Sequence, residues 1–257
     1  MKGGIFTKGR LTNKGCSIVE VLVVVAVTGA LFIGVVLMVA GKQDKARFEQ
    51  SVNSVKAQIE TVINEVQSGY PGSSQGCNYT GSSPTASASA GSSNTCIFLG
   101  KALQFTTGSQ KNSYGVHSIV GRRDSTNVGS AQAYTFAPWF ETKSLWHGLE
   151  MVSMNGGGTP VSMVSFTLDY EVDSDGAAYG SQALRVQPVR GTAWTNSFAD
   201  WSGRSIASEL AASPVNPAAG VTICLASGGT NQSALMTIGA GQSSRVTTEI
   251  KQNRTCA

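Results

Sequence analysis

The chain has 257 residues, of which 13% are charged and 30 are glycine. About 25% charged is ordinary for a soluble protein, so neither a highly charged disordered chain nor a coiled-coil rod fits, and the length allows one or two domains with a real core. The formal net charge is +4. It comes from Lys2, Lys8, Arg10 and Lys14, which lie in an acid-free leader ahead of Cys16, while residues 16–257 are balanced. The basicity therefore reads as a targeting signal and not as a nucleic-acid-binding patch.

After Gly15 the chain reads Cys16-Ser17-Ile18-Val19-Glu20, then VLVVVAVTGALFIGVVLMVAG over residues 21–41, a stretch without charge. Such a run is long enough to cross a bilayer as a helix. The basic leader ahead of it predicts that the leader stays on the cytoplasmic side and that everything after Lys42 lies outside. Gly41-Lys42-Gln43 is a poor secretory cleavage site, and Cys16 precedes the apolar run, whereas a lipoprotein cysteine follows it.

The periodicity then changes. Phe48, Val52, Val55, Ile59, Val62, Ile63 and Val66 recur at steps of three and four, mostly in alternation, which predicts one apolar stripe of an amphipathic helix. Lys45/Glu49 and Lys56/Glu60 are i,i+4 pairs on its wet side. Ser68-Gly69-Tyr70-Pro71-Gly72 stops it. A helix from Cys16 to about Gln67 would span on the order of 78 Å. The stripe is too short for a sustained coiled-coil seam, so it is expected to pack on a domain.

Residues 72–95 are rich in Gly, Ser, Thr and Ala and predict an exposed loop. Beyond them come short apolar runs bounded by turn residues, which read as strands: Ile97–Leu99 with Ala102–Thr106, Val116–Val120, Val161–Val172, Ala183–Val189, Val221–Ala226, Ala234–Gly239 and Arg245–Lys251. Residues 203–212 suggest one short helix. One long N-terminal helix followed by strands makes the fold class α+β.

Leaving out Cys16, four cysteines remain, and four allow three pairings. Cys77–Cys96 and Cys224–Cys256 join the nearest in sequence, each closing a loop worth about 3–4 kcal/mol on the chain-entropy account. With no CxxC and no histidine nearby, a zinc site is disfavoured.

Catalytic signals are thin. His117 and His147 are the only histidines and neither lies in HExxH, and phosphate-binding Gly loops are absent. No enzyme is expected. One acidic constellation, Glu171-x-Asp173-x-Asp175-Gly176, imitates the front of a calcium loop, but Gln182 stands where a bidentate Glu would close it. The other reading is a strand with Asp169, Glu171 and Asp173 on its wet face, ending in an Asp-Gly turn. Calcium is thus the one cofactor the sequence raises. Trp139-Phe140, Trp146, Trp194 and Trp201 are expected in the core, although Trp139-Phe140 also suits an adhesive or DNA-stacking surface. Arg122-Arg123 and Arg185/Arg190 are the only compact basic features of the body, too few to support DNA as a partner.

Lys14-Gly15, Glu20 and residues 21–41 together resemble the class III signal of type IV pilins and pseudopilins. The resemblance implies cleavage after Gly15 by a prepilin peptidase, methylation of the new N-terminus at Cys16, and a role for Glu20 in setting subunit register in the filament. Cys16 stands where Phe is usual, and no Pro interrupts the apolar helix. A carboxylate is costly in hydrocarbon, so its partner in a filament would be the N-terminal amine of a neighbouring Cys16; otherwise Glu20 sits at the headgroup boundary. The implied organisation is a leader (1–15), a transmembrane or filament-core helix (16–41), an amphipathic helix (42–71), a Ser/Gly-rich loop (72–95) and a globular β-rich pilin domain (96–257). The implied fold is pilin-like, with the long helix packed on an antiparallel sheet. The last strands look similar to the closing hairpin of minor pilins and of type II secretion pseudopilins. The expected partners are other pilin subunits, the prepilin peptidase, the assembly machinery and the inner membrane. The expected locations are that membrane and then an extracellular pilus (fimbrium) or secretion pseudopilus. The chain is long for a major pilin, which points to a minor subunit, with a tip adhesin or DNA-uptake pilin as the alternative.

Overall fold

The computed structural model describes residues 17–72, 76–80, 83–87, 96–106, 108–122, 134–168, 171–172, 178–179, 184–189, 198, 220–228, 231–239, 246–252 and 256. The fold is α+β. A single helix, α1 (Ile18–Gln67), precedes β1 (Gly76–Thr80), β2 (Ser83–Ser87), β3 (Cys96–Phe105), β4 (Ser113–Arg122), β5 (Tyr134–Ser144), β6 (Leu149–Gly156), β7 (Thr159–Pro160), β8 (Met163–Leu168), β9 (Glu171–Val172), β10 (Ala178–Tyr179), β11 (Leu184–Val189), β12 (Val221–Ser227), β13 (Ser233–Ile238) and β14 (Val246–Lys251). The chain divides into two compact units, Met1–Asp44 and Lys45–Ala257.

The start and the stop of α1 both follow from local chemistry. Ser17 is its N-cap: the Ser17 carbonyl accepts from the N–H groups of Glu20 and Val21, and its Oγ accepts weakly, at 3.4 Å, from Val19 N–H. At the other end Gly69 adopts φ +70°, Tyr70 N–H donates to Glu65 O at 2.8 Å, and Gly69 N–H donates to Val66 O at 3.0 Å. This is a Schellman closure, in which a glycine in the left-handed region lets orphan carbonyls find donors.

In the second unit, all seven residues of the expected stripe, Phe48 through Val66, are buried. They join one core with two antiparallel five-stranded sheets, ordered β11-β8-β3-β4-β5 and β14-β13-β12-β6-β7. The first sheet contributes Leu103, Phe105, Tyr114, Val116, Val164, Phe166 and Leu168. The second contributes alternate residues of β12 and β13, with Val221 opposite Ile238, Ile223 opposite Met236 and Leu225 opposite Ala234. The period-2 alternation of each strand aims these side chains at the helix stripe. Burying each large apolar side chain is worth about 1.5–3 kcal/mol before entropy.

The other face of the first sheet is not wet. Gln104, His117, Ser165 and Thr167 are all buried there, and Phe198 is also buried. An ion pair reaches across from α1: Lys101 Nζ, almost wholly buried, donates to Glu65 Oε2 at 2.6 Å. Nearby, Tyr114 Oη donates to Gln58 Oε1 at 2.7 Å. Burial, with the Glu141 carboxylate adding to it, pushes the Tyr114 hydroxyl above its ordinary pKa.

Several expectations need correction. Residues 72–95 do not read throughout as loop, since Gly76–Thr80 pairs with Ser83–Ser87; a two-strand ladder is made by backbone groups and needs no apolar side chains. The strand expected over Val161–Val172 is broken: β8 ends at Leu168, and Glu171–Val172 pairs instead with Ala178–Tyr179. The strands β5 and β6 were not foreseen. The helix expected at 203–212 lies outside the described residues.

Candidate functional site

The sequence points to the N-terminal part of α1. Among the described residues it is the one helix long and apolar enough to cross a membrane, with a mean hydropathy of 2.9 over its best window and none of that window buried. Ile18, Leu22, Leu31, Phe32, Ile33, Leu37 and Met38 are all more than 60% exposed. They lie on every side of the helix, so the apolar surface is a sleeve and not a stripe. The one side-chain hydroxyl within the run is satisfied internally, as Thr28 Oγ1 lies 2.8 Å from Val24 O and 3.1 Å from Val25 O. No polar side chain there would be stranded in hydrocarbon. Each Val, Leu, Ile or Phe near the centre of such a segment favours the bilayer by about 0.3–0.6 kcal/mol.

Glu20 stands exposed in the first turn of α1, three residues after Ser17. The Ser-x-x-Glu spacing is that of a capping box, and a carboxylate there is also favoured by the partial positive charge of the helix start. Gly15 and Cys16, the expected processing site, lie outside the described residues. Lys42, Lys45 and Arg47 follow the apolar run and are exposed. Basic side chains therefore flank the run on both sides, which weakens the charge asymmetry from which sidedness was inferred.

Two disulfides are present, Cys77–Cys96 and Cys224–Cys256, each with a Cα–Cα separation of 5.8 Å. The first ties the β1–β2 hairpin to β3 beside Val120, Phe136 and Trp139. The second ties Cys256, near the C-terminus, to β12.

The remaining candidates separate cleanly. Asp173, Asp175 and the side chain of Glu171 lie outside the described residues, as do Arg123, Arg190, Trp194 and Trp201. Among the described residues no group of three or more His, Cys, Asp or Glu side chains gathers to hold a metal. His117 is buried, hydrogen-bonded through Nε2 to Gln104 Oε1 at 2.8 Å, and its ring lies 4.7 Å from that of Phe140. Burial lowers its pKa from 6.5 to about 4, so the imidazole is neutral at neutral pH. Trp139 packs edge-on against Phe136 at 4.8 Å, and Phe140 faces both His117 and Phe198. The Trp139-Phe140 pair is thus engaged within the fold while both residues stay half-buried.

Sequence reasoning missed that Trp146 faces solvent. Trp146 is 56% exposed and opens the turn Trp146-His147-Gly148-Leu149, in which Leu149 N–H donates to Trp146 O at 3.2 Å. His147 has φ +53° and Gly148 φ +70°, the signature of a type I′ turn. The available signal was His-Gly between two β-like runs, a variant of the Asn-Gly hairpin cue.

No family model, curated protein or solved structure matches the chain.

Proposed function

We propose that the chain is a prepilin-type structural subunit, cleaved after Gly15 and assembled into a type IV pilus or a type II secretion-like pseudopilus as a minor subunit. It acts by assembly and not by catalysis. The observation that carries this reading is the division of one helix: Ile18 to Met38 carry an uncovered apolar sleeve, while Phe48 to Val66 are buried in a disulfide-bonded β-rich domain. Such a helix has two uses for its sleeve. In the membrane it holds the subunit against lipid. In the filament it packs on the helices of other pilin subunits, and hydrocarbon contacts are exchanged for helix contacts at little cost because both surroundings are apolar. Glu20 then neutralises the amine of a neighbouring Cys16, which the prepilin peptidase has exposed, and so fixes register. The machinery that extracts the subunit from the inner membrane completes the set of partners. The pilin-like fold and the export of the domain after Lys42 belong to the same proposal.

The mass of the N-terminal peptide of the protein taken from its native cells tests this. The expected product starts at Cys16 and carries one added methyl group. A retained Met1 would refute prepilin processing and leave residues 21–41 as an anchor alone. A tip adhesin is the second reading, favoured by the solvent-facing Trp146.

A further inference from the structure

Three connections meet around Trp146. Leu145 N–H donates to Asn112 O at 2.7 Å and Met151 N–H to Lys111 O at 2.8 Å, which docks the turn on the β3–β4 connection. On the other side Gly228 N–H donates to Gly148 O at 2.9 Å, which docks it on the β12–β13 connection. The turn also bridges the two sheets, since β5 belongs to one and β6 to the other. It is therefore held at both ends and on both flanks, and a ligand that meets it orders little.

The turn holds the only non-glycine residue with positive φ among the described residues, His147. That conformation is what the first central position of a type I′ turn requires. Its imidazole is exposed beside the Trp146 indole, with ring centroids 6.4 Å apart at 75°. Exposed side-chain amides stand in both abutting connections, Asn112 and Asn231.

Charge narrows the partner. Lys111 Nζ is paired with Glu150 Oε2 at 2.9 Å, and Lys143 Nζ with Glu141 Oε2 at 2.6 Å. Each lysine thus stands beside a carboxylate, which lowers the local positive charge that a phosphate-rich or acidic polymer would meet. A flat indole face, an imidazole and two amides instead match a pyranose ring, which offers an apolar C–H face to stack and hydroxyls to bond.

We propose that Trp146 and His147, on a turn abutted by the connections that carry Asn112 and Asn231, form a binding surface for an uncharged polysaccharide. Trp146 is the stacking platform, and polar groups of His147 and of the abutting connections read hydroxyl groups. The surface lies within the second unit and needs no filament, so an uncut N-terminus would overturn prepilin processing and leave this inference standing.

The test uses the full chain in detergent micelles with N-acetylchitohexaose and cellohexaose as probes, followed by tryptophan fluorescence, and with insoluble chitin and cellulose in a pull-down. The expected result is saturable binding of at least one glycan, unchanged between about 50 and 500 mM salt. Trp146→Ala is expected to weaken it roughly tenfold or more, the scale of losing one aromatic stacking platform. Trp146→Phe keeps part of the platform and is expected to fall between. Because the indole is largely outside the core, both variants should keep the wild-type thermal midpoint; Trp146→Phe carries the test if the alanine variant does not fold. Binding of neither glycan overturns the proposal. So does binding equal in Trp146→Ala, binding that salt abolishes or oligo(dT) competes for, and a Trp146→Ala effect confined to self-association in sedimentation, which would assign the surface to a second copy of the chain.

Discussion

Replacing one isoleucine in each half of α1 separates the two environments of that helix. Ile59 is 0% exposed within the core shared with both sheets, whereas Ile33 is 62% exposed. Ile59→Ala removes three buried carbons, worth about 2.5 kcal/mol at about 0.8 kcal/mol each. The space they leave adds up to about 1.5 kcal/mol where the walls cannot collapse, at ~24 cal/mol per Å3. The better helix propensity of alanine returns less than about 0.5 kcal/mol. The expected loss is therefore about 2–4 kcal/mol. Ile33→Ala gives up no contact within the domain and should cost it less than about 0.5 kcal/mol. Urea unfolding of the full chain in micelles, followed by tryptophan fluorescence and far-ultraviolet circular dichroism, measures both. A loss below about 1 kcal/mol at Ile59, or an equal loss at Ile33, would refute the assignment of burial to one half of the helix alone.

The closing disulfide gives a second outcome: Cys224→Ser with Cys256→Ser should lower unfolding stability by about 3–4 kcal/mol, read as a fall in urea midpoint relative to the oxidised wild type. A third concerns pH. Burial holds the His117 imidazole at about 4 against an ordinary 6.5, so between these values the unfolded chain binds a proton that the folded chain does not. The contribution is complete above about pH 6.5 and is lost as pH falls towards 4, by about 3 kcal/mol in all. His117→Gln should flatten that limb in urea midpoints taken from pH 7 to 4; an unchanged slope would show that other groups produce it.

Features that depend on spacing along the chain are set by local sequence. The stripe from Phe48 to Val66 was legible because helical side chains return to one face at a fixed period. The uncharged run over 21–41 was legible because a bilayer imposes a length and a composition. The turn at Gly69 was legible because few residues accept its backbone conformation. The two disulfides join the cysteines nearest in sequence. What depends on partners distant in sequence came only with the tertiary structure. The strand order β11-β8-β3-β4-β5 brings Leu184 beside Leu168, and Leu103 between Val116 and Val164, pairings that no local pattern specifies. β6 escaped notice because the exposed Val152 sits where the register against β12 shifts, which breaks the alternation by which a strand is recognised. His117, Gln104 and Thr167 are polar in type, yet the far face of their sheet is covered. Trp139 and Trp146 are the same residue type a few positions apart; one packs against Phe136 and the other faces solvent, because burial is settled by what the rest of the chain lays over a side chain and not by the side chain itself.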